Sequence, residues 1–235
     1  MALSNFFCRE SAEPPKRERR KEARPGELLN AALDLFVEKG FAATRMEEVA
    51  ARAGVSKGTV FLYFPSKDEL FKAVVRQSIS GRFAEWSVEL EAFEGTSAEM
   101  LHYAMSTWWE RVGVTKAAGI SKLMISEGGN FPEIAAFYQH EVVQPGHELI
   151  RRVLQRGIDR GEFQIADMDN AVYGVVACMI FLILSRHAGA CLANGEPLNA
   201  EAYIASQSAV FLRGFCSHGP SGRAPSPATP DSPNV

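Results

Sequence analysis

Residues 44–65 read Thr44-Arg45-Met46-Glu47-Glu48-Val49-Ala50-Ala51-Arg52-Ala53-Gly54-Val55-Ser56-Lys57-Gly58-Thr59-Val60-Phe61-Leu62-Tyr63-Phe64-Pro65. Two short helical patterns flank a tight turn in this run. Thr44-Arg45-Met46-Glu47 has the form of a capping box, which places a helix start at about Arg45. Met46, Val49, Ala50 and Ala53 form its apolar face. Gly54 ends that helix, because glycine enters the left-handed region without a Cβ clash. Ser56 can cap a second helix, which Pro65 stops just beyond Phe64. The small and β-branched residues at the turn let the two helices cross closely, as in a helix-turn-helix. In that motif the second helix enters the DNA major groove and the first braces it across the backbone. Gly58 costs such a helix about 1 kcal/mol relative to alanine. Either something outside must approach the backbone there, or Gly58 packs against the preceding helix.

The pattern extends outward as further helices. Pro25 suits the first turn of a helix carrying Leu29, Ala32, Leu33 and Phe36 on one face, with Gly40 placed to stop it. Ser66-Lys67-Asp68-Glu69 is a second capping box, opening a long fourth helix toward residue 92. Thr96 caps a helix with Leu101, Met105, Trp108 and Val112, and a short helix follows over about 116–127. After a break at Gly128–Pro132 comes a helix over about 132–159, bent at Pro145. Asp167 or Asp169 opens one to about 188, and a last helix runs over about 199–216. Some nine helices and no period-two strand give an all-α fold. The expected organisation is a flexible basic arm over 1–24 and a three-helix helix-turn-helix domain over 25–72. A helical body follows over 73–216, and a disordered, proline-rich tail over 217–235.

Composition agrees with a folded chain. Of 235 residues, 46% are hydrophobic and 23% charged, so wholesale disorder is excluded. Cys8, Cys178, Cys191 and Cys216 form no C-x-x-C, which fits a reducing cytoplasm and gives no metal site. The N-terminus lacks the pattern of a signal peptide. Net charge is −3, but residues 1–67 hold 12 basic and 9 acidic residues against 13 and 19 in the remainder. A basic N-terminal part on an acidic body points to a polyanion partner. Ala171–Leu184 is uncharged over fourteen residues, short of the roughly twenty that a membrane span needs. It reads as a buried or interface helix. No P-loop, G-x-G-x-x-G, H-E-x-x-H or G-x-S-x-G occurs, so no catalytic residue, cofactor or metal is expected.

Several spaced elements agree with one family. Phe36-Val37-Glu38-Lys39-Gly40-Phe41-Ala42-Ala43-Thr44, Val49-Ala50, Gly54-Val55-Ser56-Lys57-Gly58-Thr59 and Tyr63-Phe64-Pro65-Ser66-Lys67-Asp68-Glu69-Leu70 together resemble the DNA-binding domain of TetR/AcrR transcriptional regulators. The resemblance implies a dimeric, all-helical regulator, usually a repressor, whose C-terminal domain binds a small effector and forms the dimer. Carried over by position, Lys57, Gly58 and Thr59 approach bases and nearby phosphates, and Tyr63 bonds a phosphate. Thr44 and Lys67 fall at helix starts that contact the DNA backbone. Arg45, Ser56, Phe61 and Leu62 complete the expected DNA-binding set. The family commonly continues Thr-Leu-Tyr-x-Tyr-Phe where this chain has Thr59-Val60-Phe61-Leu62-Tyr63-Phe64. Phe61 offers no hydroxyl, and Leu62 is suited instead to a thymine methyl. Phe64 and Leu70 read as core. The charge run Lys16–Arg24 is either a phosphate-binding arm or a solvated face.

Residues 97–190 are rich in aromatics and methionines, and a bundle of such helices can enclose an apolar cavity. The candidate wall is Met105, Trp108, Met124, Phe137, Tyr138 and Tyr173, with His102, Glu127 and His140 as candidate polar contacts. Plain core packing is the alternative for each. Val172, Val176, Ile180 and Leu184 recur every four residues. With Ala205, Ala209, Leu212 and Phe215 they form the expected dimer face, where small residues permit close helix approach. The expected partners are thus a double-stranded operator, a small effector and a second copy, with no membrane. Alternatives are an activator or effector-independent regulator of the same fold. A helical lipid-binding or interaction protein is also conceivable, but it leaves the glycine-broken third helix unexplained.

Overall fold

The structure, a computed structural model, describes residues 16–188 and 196–216. The tail expected over 217–235 and the first part of the arm, 1–15, lie outside the described residues. Helix α1 spans Lys16–Ala43 with Pro25 inside it and a non-helical Gly40 (φ 85°) near its end. Residues 16–24, expected to be a flexible arm, are therefore helical. Their Lys, Arg, Glu and Ala residues are strong helix formers, which explains the difference. Helices α2 (Met46–Arg52) and α3 (Lys57–Tyr63) are separated by a turn in which Gly54 has φ 66°. The cap of α2 lies one residue later than expected. Glu48, not Glu47, accepts the Arg45 N–H, at 3.3 Å. Ser56 caps α3 by accepting the Thr59 N–H at 3.2 Å.

Helix α4 (Lys67–Ser78) starts at the Ser66 cap. The long helix expected toward residue 92 breaks at Ile79, followed by a tight turn and then α5 (Phe83–Glu91). Ile79 is buried in the core, and a Cβ on Gly81 would lie 2.6 Å from the Arg76 carbonyl oxygen. Side-chain burial and a glycine that lets the backbone double back thus override the helical period. Next come α6 (Ser97–Trp108), α7 (Ala118–Glu127) and α8 (Pro132–Tyr138). A wide π turn over Gln139–Val143 joins α8 to α9 (Gln144–Asp159), and this is the form the bend at Pro145 takes. Helices α10 (Met168–Ala188) and α11 (Ala200–Phe215) complete the bundle.

Two apolar cores result. One joins Leu35, Phe36, Val60, Phe71 and Val74 of α1, α3 and α4 to Ile120, Leu123 and Ile134 of α7 and α8. Phe41 stands edge-on to Phe71 (5.3 Å) and Phe131 (4.8 Å), so the aromatic packing crosses the same boundary. Gly119 lets α7 approach α1, since a Cβ there would lie 2.6 Å from a Val37 methyl. The second core collects Leu101, Met105, Leu154, Val175, Leu182 and Ile204 from α6, α9, α10 and α11.

Candidate nucleic-acid interface and ligand cavity

Only Val60 of α3 is fully buried, so one turn anchors the helix and the rest faces outward. Lys57, Gly58, Phe61 and Leu62 are exposed, Leu62 by 79%. Among the described residues Gly58 has nothing but the Ser56 hydroxyl, at 3.9 Å, near the place of a side chain. Packing against another helix therefore does not account for this glycine. The Ser56 and Thr59 hydroxyls bond each other at 2.9 Å, and Tyr63 packs on the edge of the first core. Lys57 pairs with Glu47 at 2.6 Å and lies over Phe61. Lys39–Glu48 and Arg52–Glu38 are similarly paired. Arg45 is exposed and joins no ion pair among the described residues.

Two residues expected at the DNA backbone also hold the α1–α2 turn within the free chain. Thr44 is buried, and its hydroxyl donates to the carbonyls of Gly40 (2.7 Å) and Leu35 (3.2 Å). Lys67 Nζ donates to the carbonyls of Phe41 (2.7 Å) and Ala42 (3.2 Å) and lies 4.5 Å from the Phe41 ring centroid. Their donors satisfy the carbonyls that end α1. Glu127, expected at a ligand, reaches the same turn from α7. Its carboxylate accepts the Ala42 N–H at 3.0 Å and occupies the space where a Gly40 side chain would stand.

A cavity of about 530 Å³ lies between the two cores. Five expected wall residues line it: Met105, Trp108, Met124, Tyr138 and Tyr173. Tyr173, 58% exposed and edge-on to His147, stands at its margin. Phe137 does not line it, because the ring packs under Arg76 and Lys72 of α4. His102 turns to Ser208 of α11, and His140 to Gln144. The sequence reading missed Phe83, Trp86 and Glu89, which the break after α4 delivers to the wall, as well as Ser121, Leu149 and Met179. Ser121 and Tyr138 share a buried hydrogen bond of 2.9 Å, and burial pushes the Tyr138 phenol up to about 12. Glu89 accepts from Arg111 (2.9 Å) and from the Tyr103 hydroxyl (3.2 Å), and the hydrogen bond to Arg111 holds its carboxyl below the usual range.

The exposed second helix of a helix-turn-helix, packed onto a helical body with an internal cavity, matches known families at both ends. The model described as "Bacterial regulatory proteins, tetR family" matches residues 28–74. That of the "AefR-like transcriptional repressor, C-terminal domain" matches residues 107–214. The chain belongs to the TetR family. It is 45% identical over 78 residues to the HTH-type transcriptional regulator RutR of Escherichia coli K12, covering 33% of this chain and 35% of RutR. The chain thus spans about a third of that relative's length. It is 29% identical over 153 residues to the uncharacterized HTH-type regulator YfiR of Bacillus subtilis, covering 64% and 73%. Its fold is similar to that of FadR from Bacillus subtilis, solved in complex with stearoyl-CoA. There the TM-score is 0.63 at 17% identity, covering 80% of this chain and 98% of FadR.

In this TetR-family chain, α10 buries more of its surface than the expected dimer stripe allows. Val172 is 2% exposed in the second core, and Val176 and Ile180 line the cavity. These residues face inward, and Leu184 is half-buried. About 100° round the helix, Tyr173, Ala177 and Phe181 form the open stripe, with Phe181 53% exposed against Tyr203 of α11. On α11, Ala205 and Ala209 are exposed beside Val210, whereas Leu212 and Phe215 pack on the second core. By length and composition Met168–His187 could cross a membrane, but its apolar residues are divided among core, cavity and this stripe.

Proposed function

We propose that this chain is a cytoplasmic, homodimeric repressor that holds a roughly palindromic operator and releases it when a small, largely apolar effector fills the cavity. The observation that carries the reading is the room at Gly58, on the exposed face of α3, where among the described residues the Ser56 hydroxyl alone comes within 4 Å of the place of a side chain. A groove-bound helix needs close backbone approach at its N-terminal end, and two such helices in one dimer read successive major grooves. Lys57 and Thr59 contact bases or adjacent phosphates, Arg45 and Tyr63 contact phosphates, and Leu62 meets a thymine methyl. Ser56 positions Thr59 through their shared hydrogen bond.

Release works through helix spacing. The cavity touches α7 and the α8–α9 turn. Both reach the DNA-binding part, α7 through Glu127 and the turn through Glu141, which bonds Arg76 of α4 at 2.6 and 3.2 Å. An effector that favours a different placement of these elements shifts the population away from the DNA-competent spacing. The repressor reading is supported by the AefR-like match, and an apolar effector by the lining and by the stearoyl-CoA bound to FadR. Selection of bound sequences from a random double-stranded library, at fixed moderate salt, tests the reading. An enriched inverted repeat is expected. A folded protein that enriches no sequence overturns it.

A further inference from the structure

We propose that the cavity selects an uncharged apolar molecule bearing a hydrogen-bond acceptor, and that it discriminates against a carboxylate of the same hydrocarbon. The inference rests on the effector reading above and narrows it to a chemical class. Its first support is Trp86 of α5. This residue is 6% exposed and lines the cavity, and its indole Nε1–H is buried without a partner among the described residues. A buried donor is normally paired, so an unpaired one at the wall of a cavity calls for an acceptor from the occupant.

The second support is the charge balance of the wall. No Lys or Arg lines the cavity among the described residues. The charged side chain on the wall is Glu89, and Arg111 behind it is already engaged by that carboxylate. An anion entering here finds no unpaired cation and meets the carboxylate side of an ion pair, while losing its hydration. His147 does not reverse this, because burial, and then Arg151, lowers its pKa and keeps the ring neutral at neutral pH. The remaining polar groups suit a neutral partner. The Ser121–Tyr138 hydroxyl pair and Thr107 can donate or accept, and Gln139 offers an amide.

The test uses the full chain at neutral pH and three probes: methyl decanoate, decanoate and naphthalene, the last offering no conventional acceptor. Calorimetric titration should show the ester binding at least tenfold more tightly than the carboxylate. Trp86→Phe should weaken the ester by roughly threefold to tenfold, the effect of one hydrogen bond, and leave naphthalene unchanged. Gln139→Lys, which supplies a cation at the wall without touching the indole, should raise decanoate affinity at least fivefold and leave the ester as it was. Decanoate binding the wild-type chain as tightly as the ester overturns the proposal, whatever the variants do. An unchanged ester-to-naphthalene ratio in a folded Trp86→Phe chain removes the indole from it. If none of the three probes binds or releases DNA, the effector reading itself fails and takes this inference with it.

Discussion

At Gly58 stability and binding should move in opposite directions. A Cβ there meets only the Ser56 hydroxyl, at 3.9 Å, among the described residues, so Gly58→Ala should stabilise the fold by about 0.5–1 kcal/mol through lower backbone entropy in the unfolded state and better helix propensity. On the proposed groove docking the same methyl stands where DNA comes close, so operator affinity should fall by roughly tenfold or more. Chemical denaturation and fluorescence anisotropy read the two effects separately; undiminished affinity would take Gly58 out of the interface. The neighbouring Lys57 is held by Glu47, and both side chains are more than half exposed. That exposed pair contributes little to stability. On the proposed docking its carboxylate opposes phosphates, so Glu47→Gln should tighten operator binding by roughly twofold to fivefold, more at low salt. Equal or weaker binding would place Glu47 away from the phosphates. The sequence made the exposed half of α3 legible, because cap, glycine and stop are local signals. It did not reveal that Thr44 and Lys67 hold carbonyls of the α1–α2 turn. A hydroxyl or ammonium at a helix start serves DNA and a neighbouring carbonyl equally well. Only the folded α1–α2 turn shows which carbonyls take them.

At the scale of elements, helix starts were legible from Ser56, Ser66 and Thr96, whose side chains cap as expected. The break at Ile79 was not, because an isoleucine fits the helical period, and what ends α4 is a tertiary demand on its side chain. The consequence reaches the cavity, since Phe83 and Trp86 belong to α5 only because α4 stops there. Helix α7 shows the opposite case. Its sequence gave Met124 and Glu127 one expected role, yet the fold divides them. Ser121, Met124 and Ile125 touch the cavity, while Glu127 holds the Ala42 N–H beyond it. Such a helix can carry a displacement from cavity to turn. Glu127→Ala should leave operator affinity without effector within about threefold, because the bond is exposed and worth about 1 kcal/mol. Effector-induced release, typically a 5–150-fold change, should shrink by at least threefold. Operator titrations with and without a saturating effector measure this coupling. If it is unchanged, α7 is not the conduit, and the Arg76–Glu141 link of α4 becomes the one to test.

Across the whole molecule, α10 divides its apolar surface three ways, and this is why a four-residue stripe chosen from sequence fell on the inner faces. A helix apolar on every side has no period from which to pick the outer one. In the fold the choice is made by what is already covered. Val172 and Val175 are core, Val176 and Ile180 belong to the cavity, and Tyr173, Ala177 and Phe181 are left with no apolar cover as extensive as that of the core. Ala205, Ala209 and Val210 on α11 are exposed as well. If this surface pairs with a second copy, both recognition helices are positioned by it, and losing it should cost DNA binding without touching α3. Phe181→Arg is the direct probe, since a charge there is tolerated by a solvated monomer but not by an apolar seam. We expect sedimentation as a monomer at micromolar concentration, an unchanged helical signal by circular dichroism, and operator affinity lower by roughly a hundredfold as the second half-site contact is lost. Val172→Arg is the contrasting substitution. Its side chain is buried within the subunit, so it should unfold the chain rather than separate two copies. A Phe181→Arg protein that remains a dimer and holds its operator undiminished would place the interface on another face.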